Sequence, residues 1–353
     1  MGDDNWLHQE KLMSKETMNS VCRSLRQLSI TQNKPFSVVL HGGEPLLLGG
    51  SKLEYCLSEL RKNIPDNYPL SIQTNGILIS NSILDICSEY RTTIAVSIDG
   101  PKHIHDKERI SHRGKGTFEQ VMKGIQLIKS HPDAEFLDSG CLAVIDPFSN
   151  PQEVYNFFKE LGIPSVDFLY KDGNHSKLPI GKSSLFSIEY GSWMARLLEV
   201  YLSDSNPLPI RIIDDMLKVI LGGFVTQEGA GLTNFGILVI DTDGILMKND
   251  TLKSSYNGAD KFQQSINIKD GSLIDFLHSS EFNEYLHEQK PTSEKCNNCS
   301  ELAVCGGGMK LHRWKYENGF DNPSVYCSDQ LHLIKHMRRA ISKIYRNESI
   351  EFY

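Results

Sequence analysis

Four cysteines near the end of the chain, Cys296, Cys299, Cys305 and Cys327, run Cys-x2-Cys-x5-Cys-x21-Cys. Thiolates at one short and two longer spacings can close on a metal ion or cluster, and Gly306-Gly307-Gly308 lets the backbone turn beneath it. Spacing alone leaves zinc, iron–sulfur and packed free thiols open. A second set of polar residues lies upstream: His41-Gly42-Gly43-Glu44-Pro45, Gln73-Thr74-Asn75-Gly76 and Ser97-Ile98-Asp99-Gly100, with Arg109 following. Gly42 and Gly43 permit close backbone approach to a ligand, and Glu44 can accept from an ammonium group. Pro45 holds the loop shape. Ser97 and Arg109 together could grip a carboxylate. Singly, Asn75-Gly76 and Asp99-Gly100 are ordinary turn dipeptides, and Arg109 lies in a basic stretch with Lys107, Arg113 and Lys115.

The elements that must position these groups alternate. Short β-rich runs at Phe36–Leu40, Leu70–Gln73, Thr93–Ile98, Cys141–Ile145 and Val166–Tyr170 are separated by segments long enough for helices. This predicts a parallel sheet covered by helices, either a (β/α) barrel or a doubly wound sheet. Each polar motif then falls at the carboxyl end of a strand, where ligands bind in such folds. Ser14 reads as an N-cap, with Met18, Val21, Cys22, Leu25 and Leu28 at helical spacing behind it. Helices are predicted over Pro151–Leu161, 184–203, 211–221 and about Gln330–Tyr345, and a hairpin over Ile237–Met247 turning at Asp243-Gly244.

Composition bounds the class. The chain has 353 residues, 39% hydrophobic, which is ample for a core and argues against disorder. Its 37 basic and 44 acidic residues give −7, with no whole-chain attraction to nucleic acid or anionic lipid. No apolar run reaches membrane-spanning length, and the first residues are no signal peptide, so the expected location is cytoplasmic. Cys22, Cys56, Cys87 and Cys141 are scattered singly, which suits a reducing compartment.

Together these motifs resemble the radical SAM superfamily, in particular members with a C-terminal SPASM domain. The resemblance implies an α/β fold: a partial (β/α)6 TIM-type barrel lacking its first strand, over residues 1–235 with linker helices. A loop-rich SPASM-type auxiliary iron–sulfur domain and closing helix follow over 236–353. It implies S-adenosyl-L-methionine as cofactor, with Gly42, Gly43, Glu44 and Pro45 at the methionine amino group, Ser97 and Arg109 on the carboxylate, and Gln73, Asn75 and Asp99 nearby, Asn75 or Asp99 toward the ribose. It further implies an auxiliary [4Fe–4S] cluster on Cys296, Cys299, Cys305 and Cys327.

Finer features, Gly2-Asp-Asp-Asn-Trp6, Leu40–Leu47, Asp241-Thr-Asp-Gly244 and Gly319–Cys327, are similar to the cyclophane-forming peptide maturases of FxsB, GrrM and XyeB type. That likeness implies a carbon–carbon crosslink made in a ribosomal precursor peptide by a 5′-deoxyadenosyl radical, with a flavodoxin- or ferredoxin-type electron donor and no nucleic-acid or membrane partner. Two departures stand out. Cysteines of a second auxiliary cluster would fall near Asn249 and Met309 and are absent, so a single auxiliary cluster is expected. The radical-generating Cys-x3-Cys-x2-Cys run is also absent. By alignment it falls just upstream of Gly2, so the chain is expected to open inside the first barrel loop and to lack the radical-generating cluster unless that loop is restored. A cluster-less, non-catalytic peptide-binding relative is the alternative. A zinc hydrolase fits the cysteines but has no open zinc position. No catalytic acid or base is assigned; Arg211, Asp214 and Asp215 are candidates by their place between the two domains.

Overall fold

A computed structural model of the chain describes residues 9–32, 34–225, 228–232 and 236–348. The motif Gly2–Trp6 lies outside the described residues. Five parallel strands, β1 (Val38–Leu40), β2 (Leu70–Thr74), β3 (Thr93–Ser97), β4 (Asp138–Val144) and β5 (Val166–Leu169), lie side by side in sequence order. That order is a barrel wall laid down strand by strand, and the described sheet is open. At the next position Ile210 makes a single parallel bridge to Val166.

Helices cross between the strands. They are α1 (Lys15–Thr31), α2 (Gly50–Asn63), α3 (Asn81–Glu89), α4 (Lys102–Glu108), α5 (Phe118–Ser130), α6 (Ala134–Leu137) and α7 (Pro151–Leu161). α1 begins where the sequence places it, because Ser14 accepts from the Thr17 N–H. α7 uses Asn150 as cap, Pro151 in its first turn and Gly162 in the left-handed conformation at its end.

Strand alternation divides the sheet's faces. Ile72, Ile94, Val96, Ala143 and Phe168 are buried against the helices, with Phe168 ringed edge-on by Phe158 and Trp193. The other face carries Gln73, Ser97 and Asp167, all half-buried. Period two thus places the polar residues of several strands on one surface.

After β5 come α8 (Glu189–Ser203) and α9 (Arg211–Ile220), then the hairpin β6 (Val239–Ile240) and β7 (Leu246–Met247). The hairpin turns through Asp241–Gly244, as the sequence predicts, with Gly244 N–H on the Asp241 carbonyl at 2.9 Å. Short helices α10 (Leu273–Leu277), α11 (Ser280–His287), α12 (Glu294–Asn297) and α13 (Leu302–Cys305) lead to the long α14 (Cys327–Glu348). Two boundaries differ from the sequence reading. Helix α8 starts at Glu189 rather than 184, because the Ser184 hydroxyl accepts from the Phe186 and Ser187 N–H groups and offers the backbone a competing turn. Helix α14 starts at Cys327 rather than 330.

Helices α8 and α14 join the two halves at close range. A Cβ on Gly191 would stand 2.6 Å from the Asp329 Cα, so only glycine allows the contact. Beneath it, Lys182 Nζ and Asp329 Oδ2 meet at 2.6 Å, both side chains fully buried. Among the described residues no helix is long and apolar enough to cross a membrane.

Candidate functional site

The strand-end motifs converge on one loop system. Glu44 leaves β1 and reaches across to the end of β2, where Oε1 accepts from the Thr74 hydroxyl at 2.7 Å and from Leu46 N–H at 3.0 Å. Its Oε2 accepts from Asn75 N–H at 2.9 Å. A carboxylate offers about four acceptor positions, so about one remains for a ligand donor. Glu44 therefore both braces the rim and stays able to take an ammonium. Gly42, at φ 110°, is exposed with nothing within 4 Å of a Cβ position, and the loop there is open to an incoming group. Pro45 is buried behind it.

On the neighbouring strands, Gln73 Nε2 donates to Ser97 Oγ at 3.0 Å. Asn75 Oδ1 accepts from Ile77 N–H, shaping the turn. Arg109 and Asp99 are brought together: Nε meets Oδ2 at 2.6 Å and Nη2 meets Oδ1 at 3.0 Å. Val144 N–H adds a third bond to Asp99 at 2.9 Å, tying the ends of β3 and β4. The guanidinium expected to grip a ligand carboxylate is thus anchored first by an internal carboxylate, which fixes its position.

His105, absent from the sequence reading, completes this corner. It is fully buried on α4, its Nδ1 accepts from Asp99 N–H at 3.3 Å, and its Nε2 lies 3.0 Å from Thr117 Oγ1. Thr117 in turn donates to the Arg109 carbonyl. The chain of donors requires a neutral imidazole with the proton on Nε2. Its spacing carries no signal, since its role comes from burial beside Asp99. Burial lowers the His105 pKa, and burial also pushes His312 down to about 3, where Nε2 has no partner. A proton then binds the unfolded chain better, since unfolded histidine titrates near 6.5. Stability held above pH 6.5 is expected to fall as pH drops toward 3. Urea midpoints at pH 7 and 5 check this, and His312→Leu should flatten the slope.

The mid-chain candidates separate. Arg211 Nε donates to Asp167 Oδ2 at 2.6 Å and Nη1 to Asp215 at 3.1 Å, on the polar face of the sheet. Asp167 Oδ1 is buried without a partner, and burial raises its pKa. Asp214 instead accepts from the Tyr201 hydroxyl and Ile210 N–H, fastening α9 to α8.

Cys327 opens α14, Cys296 and Cys305 lie on α12 and α13, and Cys305 Sγ meets Gln330 Oε1 on α14 at 3.2 Å. Burial pushes Cys305 up to about 12, with charge on Cys327, Cys296 and Cys299 adding to the rise. Among the described residues no three His, Cys, Asp or Glu side chains close on a single ion. Gly306, Gly307 and Gly308 all have positive φ, and a Cβ on Gly306 would stand 2.0 Å from the Gly231 carbonyl oxygen. Only consecutive glycines make this turn. Cys22, Cys56, Cys87 and Cys141 are buried core thiols; burial raises Cys22 to about 11 and Cys56 and Cys87 to about 12.

Comparison with known proteins follows the same outline. The radical SAM superfamily model matches residues 11–168. A cysteine-type anaerobic sulfatase-maturating enzyme of Clostridium perfringens is 27% identical over 297 residues, 82% of this chain and 78% of that protein. A serine-type counterpart from Bacteroides thetaiotaomicron is 26% identical over 84% of this chain and 74% of its own. Among solved structures, native anSMEcpe with bound AdoMet and Cp18Cys peptide superposes with a TM-score of 0.79 at 23% identity, covering 95% of this chain and 91% of that one. Streptococcus suis SuiB bound to precursor peptide SuiA gives 0.57 at 16%, covering 88% and 69%.

Proposed function

Because this chain belongs to the radical SAM superfamily and carries a SPASM-like C-terminal region, we propose that it matures a ribosomally made peptide by installing a carbon–carbon, cyclophane-type crosslink. The observation that carries the reading is the rim itself: Glu44 bonded to Thr74, Gln73 to Ser97 and Asp99 to Arg109 at the ends of adjacent strands, open at Gly42. The likeness to anSMEcpe with bound AdoMet and Cp18Cys peptide and to SuiB bound to precursor peptide SuiA supports a peptide substrate.

S-adenosylmethionine and its reducing cluster supply hydrogen-abstracting radical chemistry when bound. The chain's own residues bind and orient. Glu44 offers its remaining acceptor position to the amino group. Arg109, positioned by Asp99, and the Ser97 hydroxyl would take the carboxylate. Asn75 would serve the ribose.

At the other end, Cys296, Cys299, Cys305 and Cys327 fit an auxiliary [4Fe–4S] cluster. Four thiolates are the ligand set of such a cluster, and three consecutive left-handed glycines turn the backbone beside Cys305. The eight cysteines of these 353 residues contain no Cys-x3-Cys-x2-Cys run. The second reading is peptide binding without radical chemistry.

The test is co-expression with candidate precursor peptides followed by mass spectrometry. A peptide lighter by one pair of hydrogens per crosslink is the expected product, and a peptide that co-purifies unmodified decides for the binding reading. Glu44→Gln is expected to weaken S-adenosylmethionine binding about tenfold, the lower end for a charge-assisted hydrogen bond. Calorimetry with the cofactor alone measures it.

A further inference from the structure

Arg313 ends the turn Lys310–Arg313 in the cysteine-rich region, and its side chain is 1% exposed. A buried guanidinium is costly unless its charge is answered. Nη2 donates to the Gln289 carbonyl at 2.6 Å, whereas Nε is sealed from solvent without a partner. Arg313 shares with Cys305, Gly306, Gly308 and Glu228 the wall of a cavity of about 20 Å³, room for about one water. Of the four clustered thiols, Cys305 shares that wall with Arg313. Glu228 is itself engaged, accepting from Asn249 Nδ2 at 3.1 Å. The fold thus holds a buried cation beside Cys305, one of the four thiols, and leaves one of its donors unused.

We propose that Arg313 is the positioning charge that sets the reduction potential of the cluster held by Cys296, Cys299, Cys305 and Cys327. The inference rests on those cysteines holding a cluster. Four thiolates leave such a cluster net negative, and one-electron reduction adds a further negative charge. A cation in a low-dielectric site stabilises the reduced form more than the oxidised one. Arginine suits the place because it stays charged and its planar fork bonds Gln289 while keeping Nε free.

The test uses the full chain, reconstituted anaerobically and titrated with dithionite as the one-electron donor, the reduced cluster being read by electron paramagnetic resonance. Arg313→Gln is expected to load as much iron as the parent and to lower the reduced-to-oxidised ratio about tenfold at the parent's midpoint potential, a shift of about 59 mV. Arg313→Met removes the charge together with its desolvation cost and gives the same shift where the glutamine variant folds poorly. Arg313→Lys restores the potential. An unchanged midpoint in a fully loaded neutral variant overturns the inference, as does a lysine variant shifted as far as the neutral ones. A parent chain that takes up no iron overturns the cluster assignment itself, and the inference with it.

Discussion

Lys182→Met is expected to lower the free energy of unfolding by about 3–5 kcal/mol, the range for breaking a buried ion pair from one side. Lys182 and Asp329 meet at 2.6 Å with no exposed side-chain surface on either partner. The ammonium also donates to the Ser187 carbonyl at 2.7 Å, and Asp329 Oδ1 accepts from Gly191 N–H at 2.8 Å. Removing the cation leaves a carboxylate sealed between α8 and α14 with one backbone donor for compensation. Burial already raises the Asp329 pKa with Lys182 present. The double variant Lys182→Met, Asp329→Leu should recover part of the loss, because no charge is then stranded. Urea denaturation of the two variants and the parent measures both terms. A single variant as stable as the parent would mean that Asp329 is neutral in the folded chain.

Cys299→Ala is expected to take bound iron from about four per chain to near none and to abolish the visible absorbance of the reconstituted protein. The region between α11 and α14 has little regular structure to hold it: α12 and α13 are four residues each. In such a segment the metal's binding energy is folding energy. Loaded parent protein should therefore melt well above the variant, while metal-free parent and variant melt together. Cys299 is half-exposed, so loss of its sulfur by itself costs little packing. A variant that keeps about four irons would remove Cys299 from the ligand set.

Much of this was legible along the chain. Strand positions followed from β-rich runs between helix-length gaps, and all five predicted strands form in sequence order. Glu44, Gln73, Ser97 and Asp99 were visible because strand-end position and residue type coincide. The edges of elements were less so: the Ser184 turn delays α8 through side-chain bonds that periodicity does not register. His105, Lys182, Arg313 and Asp329 were invisible for a related reason. Each is a polar residue whose meaning lies in complete burial beside a partner, and for Lys182 that partner is 147 residues away.

Residue type and spacing by themselves determined the parallel α/β architecture, the rim motifs and the four-thiol set, since these depend on local period and on short chain distances. Tertiary structure alone decided how charges are spent. Asp99 anchors Arg109, Glu44 braces a second strand before any ligand arrives, and Arg313 is buried beside Cys305 rather than in water. Electrostatic energy depends on distance and burial in space, and neither can be read from separation along the chain.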